Sequence, residues 1–256
     1  ESINKELACP FLLDGYEVAV SASIGIAYSS HQDGHVDLLR DVDAAMYKAK
    51  AMGKSCYAVF NRQMHTKAVS RLQIETDLHQ ALEQKNFVLY YQPQTKLYSE
   101  ELIGVEALIR LRHPQQGLIS PVDFIPVLED TGIIVTLGEW ILRTACNQLR
   151  AWQDTGLPLD HVSVNVSALQ FRNHKRLFQC VAECLKVTGL SPECLELELT
   201  ETLLLEDTDS AIKTLGRFKD MGIGVTIDDF GTGYASLNYL KRFPADALKI
   251  DRSFIQ

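Results

Sequence analysis

No run of about eighteen apolar residues occurs in this chain, so no membrane-spanning helix is expected. The nearest candidate, from Ile133 to Leu142, is interrupted by Glu139. The opening Glu1-Ser2-Ile3-Asn4-Lys5 lacks a basic segment followed by an apolar one, which excludes a signal peptide. It also lacks an initiating Met, which points to a segment of a longer chain. Positive charge is scarce: 25 Lys and Arg stand against 33 Asp and Glu, a formal net charge of −8. A protein that coats a nucleic-acid polymer carries a basic face, so polymeric nucleic acid is not an expected partner. An acidic chain can still take a small phosphodiester if metal ions screen the charge. Gly and Pro, 15 and 8 in 256 residues, are too few for a linker-like or collagen-like chain. Six cysteines are scattered without a Cys-x-x-Cys or a Cys/His pairing to complete a zinc site. They read as buried free thiols of a reducing cytoplasm, Cys180 and Cys184 on one helix among them.

What is present is an ordinary globular composition, 46% hydrophobic and 23% charged, over a length that suits more than one average domain and fewer than three. Residues 1–60 form one unit. Glu17 to Ala27 alternates with Val18, Val20, Ala22, Ile24 and Ile26 on one side, a half-buried strand. From Val36 to Met52 apolar residues recur at three and four, an amphipathic helix stopped by Gly53, and Tyr57 to Phe60 is a short strand. So few elements cannot bury a core alone, so this is expected to be the tail of a domain. Residues 61–84 read as a linking helix.

From Phe87 onward strands and helices alternate. Strands are expected at Phe87–Tyr91, Glu101–Leu111, Val162–Val166, Leu195–Leu199, Val225–Ile227 and Ala247–Ile250. Helices are expected at Pro121–Thr131, Ile133–Asp154, Lys175–Thr188, Asp209–Met221 and Ala235–Leu240. Repeated βα units imply a largely parallel sheet. One strand about every 30 residues favours a TIM-type (β/α) barrel, and a full barrel of about 250 residues would leave residues 85–256 incomplete at the C-terminus. A doubly wound open sheet is the alternative, but no Gly-rich phosphate loop follows the first strands.

Polar residues gather where these strands end. Glu106, Asn165, Glu198, Asp228 with Asp229, and Lys249 come from five consecutive strands, and in a barrel that rim is where active sites sit. Each alone has a plainer explanation, as a turn former, a backbone partner or a solvated charge. Together, four carboxylates and an amide in one mouth repel by several kcal/mol unless a cation sits among them. Oxygen donors without His or Cys select Mg²⁺, Mn²⁺ or Ca²⁺ over zinc. Adjacent aspartates suit a metal pair of the kind used in phosphodiester cleavage.

Glu106-Ala107-Leu108 with Arg110 resembles the signature of EAL domains, the cyclic di-GMP phosphodiesterases. The likeness continues in order through Tyr91-Gln92-Pro93, Ser120 to Pro126, Glu198-Leu199-Thr200-Glu201, Asp228 to Tyr234 and Lys249-Ile250-Asp251, covering about Arg71 to Gln256. Ser23 to Ala27, Asp43 to Lys50 and Gly53-Lys54 are similar to the C-terminal third of a GGDEF domain, the diguanylate cyclase fold of α+β type, whose signature loop would lie upstream.

The resemblance implies metal-dependent hydrolysis of cyclic di-GMP to linear pGpG in bacterial signalling, with two Mg²⁺ or Mn²⁺ ions. It implies metal ligation by Glu106, Asn165, Glu198 and Asp228, with Asp229 on the second ion and Lys249 beside the attacking water. Arg110 is implied as a phosphate donor, Gln92 and Leu108 as substrate-lining residues, and Glu201 as the residue that steadies the loop 229–236. The family's further metal-binding Glu and loop Gln would fall after Gln256, so this segment by itself is expected to be weakly active or inactive. Ala235 stands where the family commonly has Ser. The competing reading is a receptor or scaffold that binds cyclic di-GMP without cleaving it. The resemblance further implies a cytoplasmic segment without membrane contact, able to form a homodimer through the EAL domain.

Overall fold

The computed structural model describes residues 2–7, 11–13, 16–18, 20–28, 35–51, 55–61, 74, 76–231 and 241–254. The chain divides into two compact units, Glu1–Thr76 and Asp77–Gln256. That division falls within the stretch read as a linking helix. Of it, residues 76–83 are helical, while 62–73 and 75 lie outside the described residues. No described helix is long and apolar enough to cross a membrane.

The first unit holds two small strand pairs. Strands β1 (Phe11–Leu13) and β2 (Tyr16–Val18) are antiparallel, whereas β3 (Ile24–Ile26) and β4 (Tyr57–Val59) are parallel and joined through the helix His35–Ala51. The single strand expected over Glu17–Ala27 is therefore two, with residues 20–23 in neither. Small residues let helix and strand approach closely. Ala44, Ala45, Ala49 and Ala58 form the buried centre, and a Cβ on Gly25 would stand 2.2 Å from the Val42 carbonyl.

The second unit is built on one mixed sheet. Its strands are β5 (Phe87–Thr95), β6 (Leu102–His113), β7 (Gly117–Ile119), β8 (His161–Asn165), β9 (Leu195–Thr200), β10 (Gly224–Phe230) and β11 (Ala247–Ile250). They lie in the order β11-β10-β9-β8-β6-β5, with β7 added at the far end of β6. Strands β6, β8, β9, β10 and β11 are mutually parallel, as the βα pattern predicts. The sheet is largely parallel, as expected, and departs from that at its start, where β5 runs antiparallel to β6. The cause is covalent: only residues 96–101 join them, and a parallel crossover needs a dozen or more. The short β7 and the one-turn helices Ala168–Arg172 and Glu201–Glu206 are additions to the expected list. The helix expected at Ala235–Leu240 lies outside the described residues.

The alternation of side chains decides which face is core. Val162, Val164, Leu195, Leu197, Leu199, Val225 and Ile227 are buried on one face. The helix Ile133–Asp154 packs against β8 and buries Leu137, Ile141, Leu142, Ala145 and Leu149, recurring at three and four. The intervening residues Ser163, Asn165, Glu196, Glu198, Thr226 and Asp228 take the opposite face, since successive strand residues point to opposite sides. The described thiols Cys56, Cys146, Cys180, Cys184 and Cys194 are all free, and Cys9 lies outside the described residues.

Candidate active site

The ladder carries the polar residues to one level. Register pairs Gln92 with Glu106, Asn165 with Glu198, and Glu198 with Thr226. Glu106 and Glu198, 92 positions apart, thereby meet at Lys249, whose Nζ donates to Glu106 Oε2 at 2.7 Å and to Glu198 Oε2 at 2.7 Å. Asp228 Oδ2 stands 3.8 Å from the same ammonium. Asn165 Nδ2 donates to Glu106 Oε1 at 2.8 Å. Five of the residues singled out in the sequence are thus in one cluster.

Asp229 follows a local break in the ladder. The β10–β11 register shifts between Ile227 and Phe230, and Asp229 has φ 53°, in the left-handed region. Its backbone N–H donates to Asp228 Oδ1 at 2.8 Å, and its own side chain is exposed. Such bulges re-aim side chains beside active sites. Glu201 is buried and accepts from the Gly231 N–H at 2.8 Å, tying the Glu201–Glu206 helix to the exit of β10. Most of the loop 229–236 read as its charge lies outside the described residues.

The electrostatics follow from crowding. Burial first, then the charges of Glu106 and Asp228, raise Glu198 to about 7 despite the Lys249 hydrogen bond. Burial works in the same sense on Glu106, but hydrogen bonds from Lys249 and Asn165 outweigh it and hold that carboxyl below its ordinary range. Burial opposes the Lys249 charge, yet Glu106 and Glu198 together raise its pKa above the usual lysine value. Burial and the neighbouring Asp228 raise Asp229. Among the described residues no three His, Cys, Asp or Glu stand as they are in an arrangement that would hold a metal ion. The place between the acids is taken by the Lys249 ammonium.

A cleft of about 470 Å³ adjoins the cluster and shares Asn165 with it. Leu108, Ile125 and Leu203 give it apolar walls, and Arg110, Glu129 and Thr200 give it polar edges. Leu108 and Arg110 therefore line the cleft rather than the acid cluster. Arg110 donates to the Ile109 carbonyl at 2.8 Å and lies 5.9 Å from the Tyr90 ring centroid. Gln92 is exposed beside Glu106 in the ladder.

Sequence reasoning missed a second polar level two residues nearer the strand starts. Gln94 Nε2 donates to Ser163 Oγ at 3.3 Å, Ser163 Oγ donates to Glu196 Oε1 at 2.8 Å, and His161 Nε2 donates to Gln94 Oε1 at 2.8 Å. It also missed Thr226. The signal existed: Ser163, Glu196 and Thr226 each precede a chosen residue by two, which puts them on the same face.

Along its whole length the chain is 46% identical to the bifunctional diguanylate cyclase/cyclic di-GMP phosphodiesterase MucR of Pseudomonas aeruginosa, of which it covers 37%. It is 38% identical over 255 residues, 99% of the chain, to the cyclic di-GMP phosphodiesterase PdeR of Escherichia coli, covering 38% of it. The chain thus spans well under half the length of these curated relatives. A solved structure of the PaMucR phosphodiesterase in complex with c-di-GMP matches 72% of this chain and 74% of its own at 49% identity, with a TM-score of 0.68. The EAL domain family model matches residues 75–256, and the chain belongs to the EAL domain family.

Proposed function

We propose that this chain hydrolyses cyclic di-GMP to linear pGpG with the help of divalent cations. The observation that carries the reading is the meeting of Glu106, Asn165, Glu198 and Asp228 around Lys249, beside a cleft wide enough for a small ligand. Relatives named as cyclic di-GMP phosphodiesterases support the substrate.

The donor set suits a hard divalent ion. Every side chain is an oxygen donor, and Glu198 Oε1 is buried without a hydrogen-bond partner, a deficit that a cation relieves. Glu106, Asn165, Glu198 and Asp228 would hold Mg²⁺ or Mn²⁺, with Asp229 reaching a second ion. Such a pair, when bound, acidifies water and neutralises phosphoryl oxygens. Lys249 keeps the Glu106 and Glu198 carboxylates together and stands beside the attacking water. The Arg110 guanidinium, planar and forked, donates to a phosphate oxygen. Leu108 lies against the substrate in the cleft, and Gln92, exposed beside Glu106, meets it from the side of the acid cluster. Glu201 holds Gly231 and with it the turn that carries Asp228 and Asp229.

The sheet is read as the wall of a TIM-type barrel, with residues 85–256 as the EAL domain and 61–84 as a linking helix. Residues 1–60 are read as part of a GGDEF-like domain, a reading supported by the full-length similarity to a bifunctional relative. Pairing of two copies through the EAL domain and a cytoplasmic setting, which the free thiols suit, belong to the same proposal.

One observation favours a receptor without turnover, the Lys249 ammonium seated between the acids. Incubation with cyclic di-GMP and Mn²⁺ or Mg²⁺, followed by chromatography, separates the two. The expected result is slow formation of pGpG from the unaltered chain, in keeping with a segment weakly active by itself, and a loss of about 100-fold or more in Glu106→Gln, the scale of one lost charge-stabilising group. Tight binding without product supports the receptor, and neither binding nor product refutes both.

A further inference from the structure

Thr226 has no part in the mechanism above, yet its surroundings are unusual. It lies on β10 directly beside Glu198 of β9, and both are 1% exposed. Its hydroxyl Oγ1 and Glu198 Oε1 are both buried side-chain atoms without a hydrogen-bond partner among the described residues. A hydroxyl proton in such a place needs an acceptor. Most neighbouring acceptor atoms already take a bond: Glu196 Oε1 from the Ser163 hydroxyl, Glu198 Oε2 from Lys249, Glu106 from Asn165 and Lys249, and Asp228 Oδ1 from the Asp229 N–H. On its other side Thr226 faces Ala247, and two residues back on its own strand stands Gly224, neither of which offers a side-chain acceptor.

We infer that Thr226 is a positioning residue for Glu198, its hydroxyl donating to Glu198 Oε1 through one buried water, since neither atom is within direct hydrogen-bond reach of the other. This rests on the proposed metal-dependent reading of the site. A carboxylate oxygen has two lone pairs, so Oε1 can accept this hydrogen bond and still face an ion. The bond fixes rotation of the carboxylate about its last torsion, which is otherwise broad. Partners that orient a ligand in this way typically change metal affinity 10–100-fold when removed.

The test compares Thr226→Val, which keeps the shape and loses the hydroxyl, with Thr226→Ser, which keeps the hydroxyl. Mn²⁺ binding is measured by calorimetry without substrate, alongside kcat and KM for cyclic di-GMP and the melting temperature of the metal-free protein. The expected result is Mn²⁺ affinity about 10-fold weaker in Thr226→Val, with lower kcat, unchanged KM and undiminished melting temperature. Thr226→Ser should stay within about 3-fold of the unaltered chain in Mn²⁺ affinity, as a retained donor requires. Equal affinity in Thr226→Val, or an equal loss in Thr226→Ser, overturns the inference. If the unaltered chain neither binds Mn²⁺ nor turns over, the functional reading fails by itself. A crystal structure of the metal-free protein then decides the inference: a link from Thr226 Oγ1 to Glu198 Oε1 upholds it, and a hydroxyl bonded to backbone instead refutes it.

Discussion

Lys249 is the counter-ion of Glu106, Glu198 and Asp228, and its removal leaves their charges facing one another. The pH dependence of stability follows from Glu198. Its folded pKa, about 7, lies above the ordinary 4.5, so the folded chain holds that proton more tightly than the unfolded one. The contribution is full below pH 4.5 and is lost as pH rises through 7. Glu106, held low by Lys249 and Asn165, acts in the opposite sense, but only below its ordinary range. Between pH 5 and 8 the metal-free protein should therefore lose stability through Glu198, and Glu198→Gln should flatten that fall. Lys249→Met should steepen it, being less stable than the unaltered chain by about 1–3 kcal/mol at pH 8, below the full penalty of a deeply buried unpaired charge because Lys249 is partly exposed. Urea titrations at the two pH values measure this, and parallel curves for all three proteins would contradict it. The acids could be chosen from the sequence because they fall on successive strands of the βα series. Lys249 was placed on the same rim, but its pairing with Glu106 and Glu198 was not legible, because spacing along the chain says nothing of which side chains meet across a sheet.

At the scale of elements, two glycines give opposite expectations. A Cβ on Gly138, inside the Ile133–Asp154 helix, would stand 2.0 Å from Gln170 Nε2. Gln170 and Ser167 cap each other at the start of the Ala168–Arg172 helix, two residues beyond Asn165. Gly138→Ala should then force Gln170 out of that cap and cost about 1–3 kcal/mol, the range for overpacked cores. It should also loosen the turn that holds Asn165. Gly216, in the Thr208–Asp220 helix, has nothing within 4 Å of an added Cβ. Gly216→Ala should stabilise by about 0.5–1 kcal/mol. Chemical denaturation of both variants reads the signs directly, and a neutral Gly138→Ala would mean that Gln170 has room to move. Elements with a strong period were legible: the helix Ile133–Asp154 and the strand Ala247–Ile250 lie where the pattern puts them. The antiparallel direction of the β5–β6 pair was not legible from its apolar runs, because only the short connection between them carries it.

For the whole second unit, sheet position predicts where the structure opens. β8 and β9 have neighbours on both sides and bury Val162, Leu195 and Leu197 completely. β11 has one neighbour among the described residues, and its Leu248 and Ile250 are 40% and 62% exposed. Local opening free energies follow such differences, from near zero at exposed elements to the global value in the core. The architecture was legible as parallel βα units, but this gradient was not, because the apolar residues of β11 look no different in sequence from those of β9. Hydrogen exchange on the metal-free protein should show β8 and β9 amides exchanging only through global unfolding, and those of β11 that bond β10 at least about 100-fold faster. Lys249 rides on β11, so the strand that brings the cation to the acids is less protected than β8 and β9. A ligand that binds between Glu106, Glu198 and Asp228, whether Mn²⁺ alone or with cyclic di-GMP, should therefore slow exchange in β11 far more than in β8. Equal slowing everywhere would mean that the site is already fixed before anything binds, and that Lys249 serves only as its resident cation.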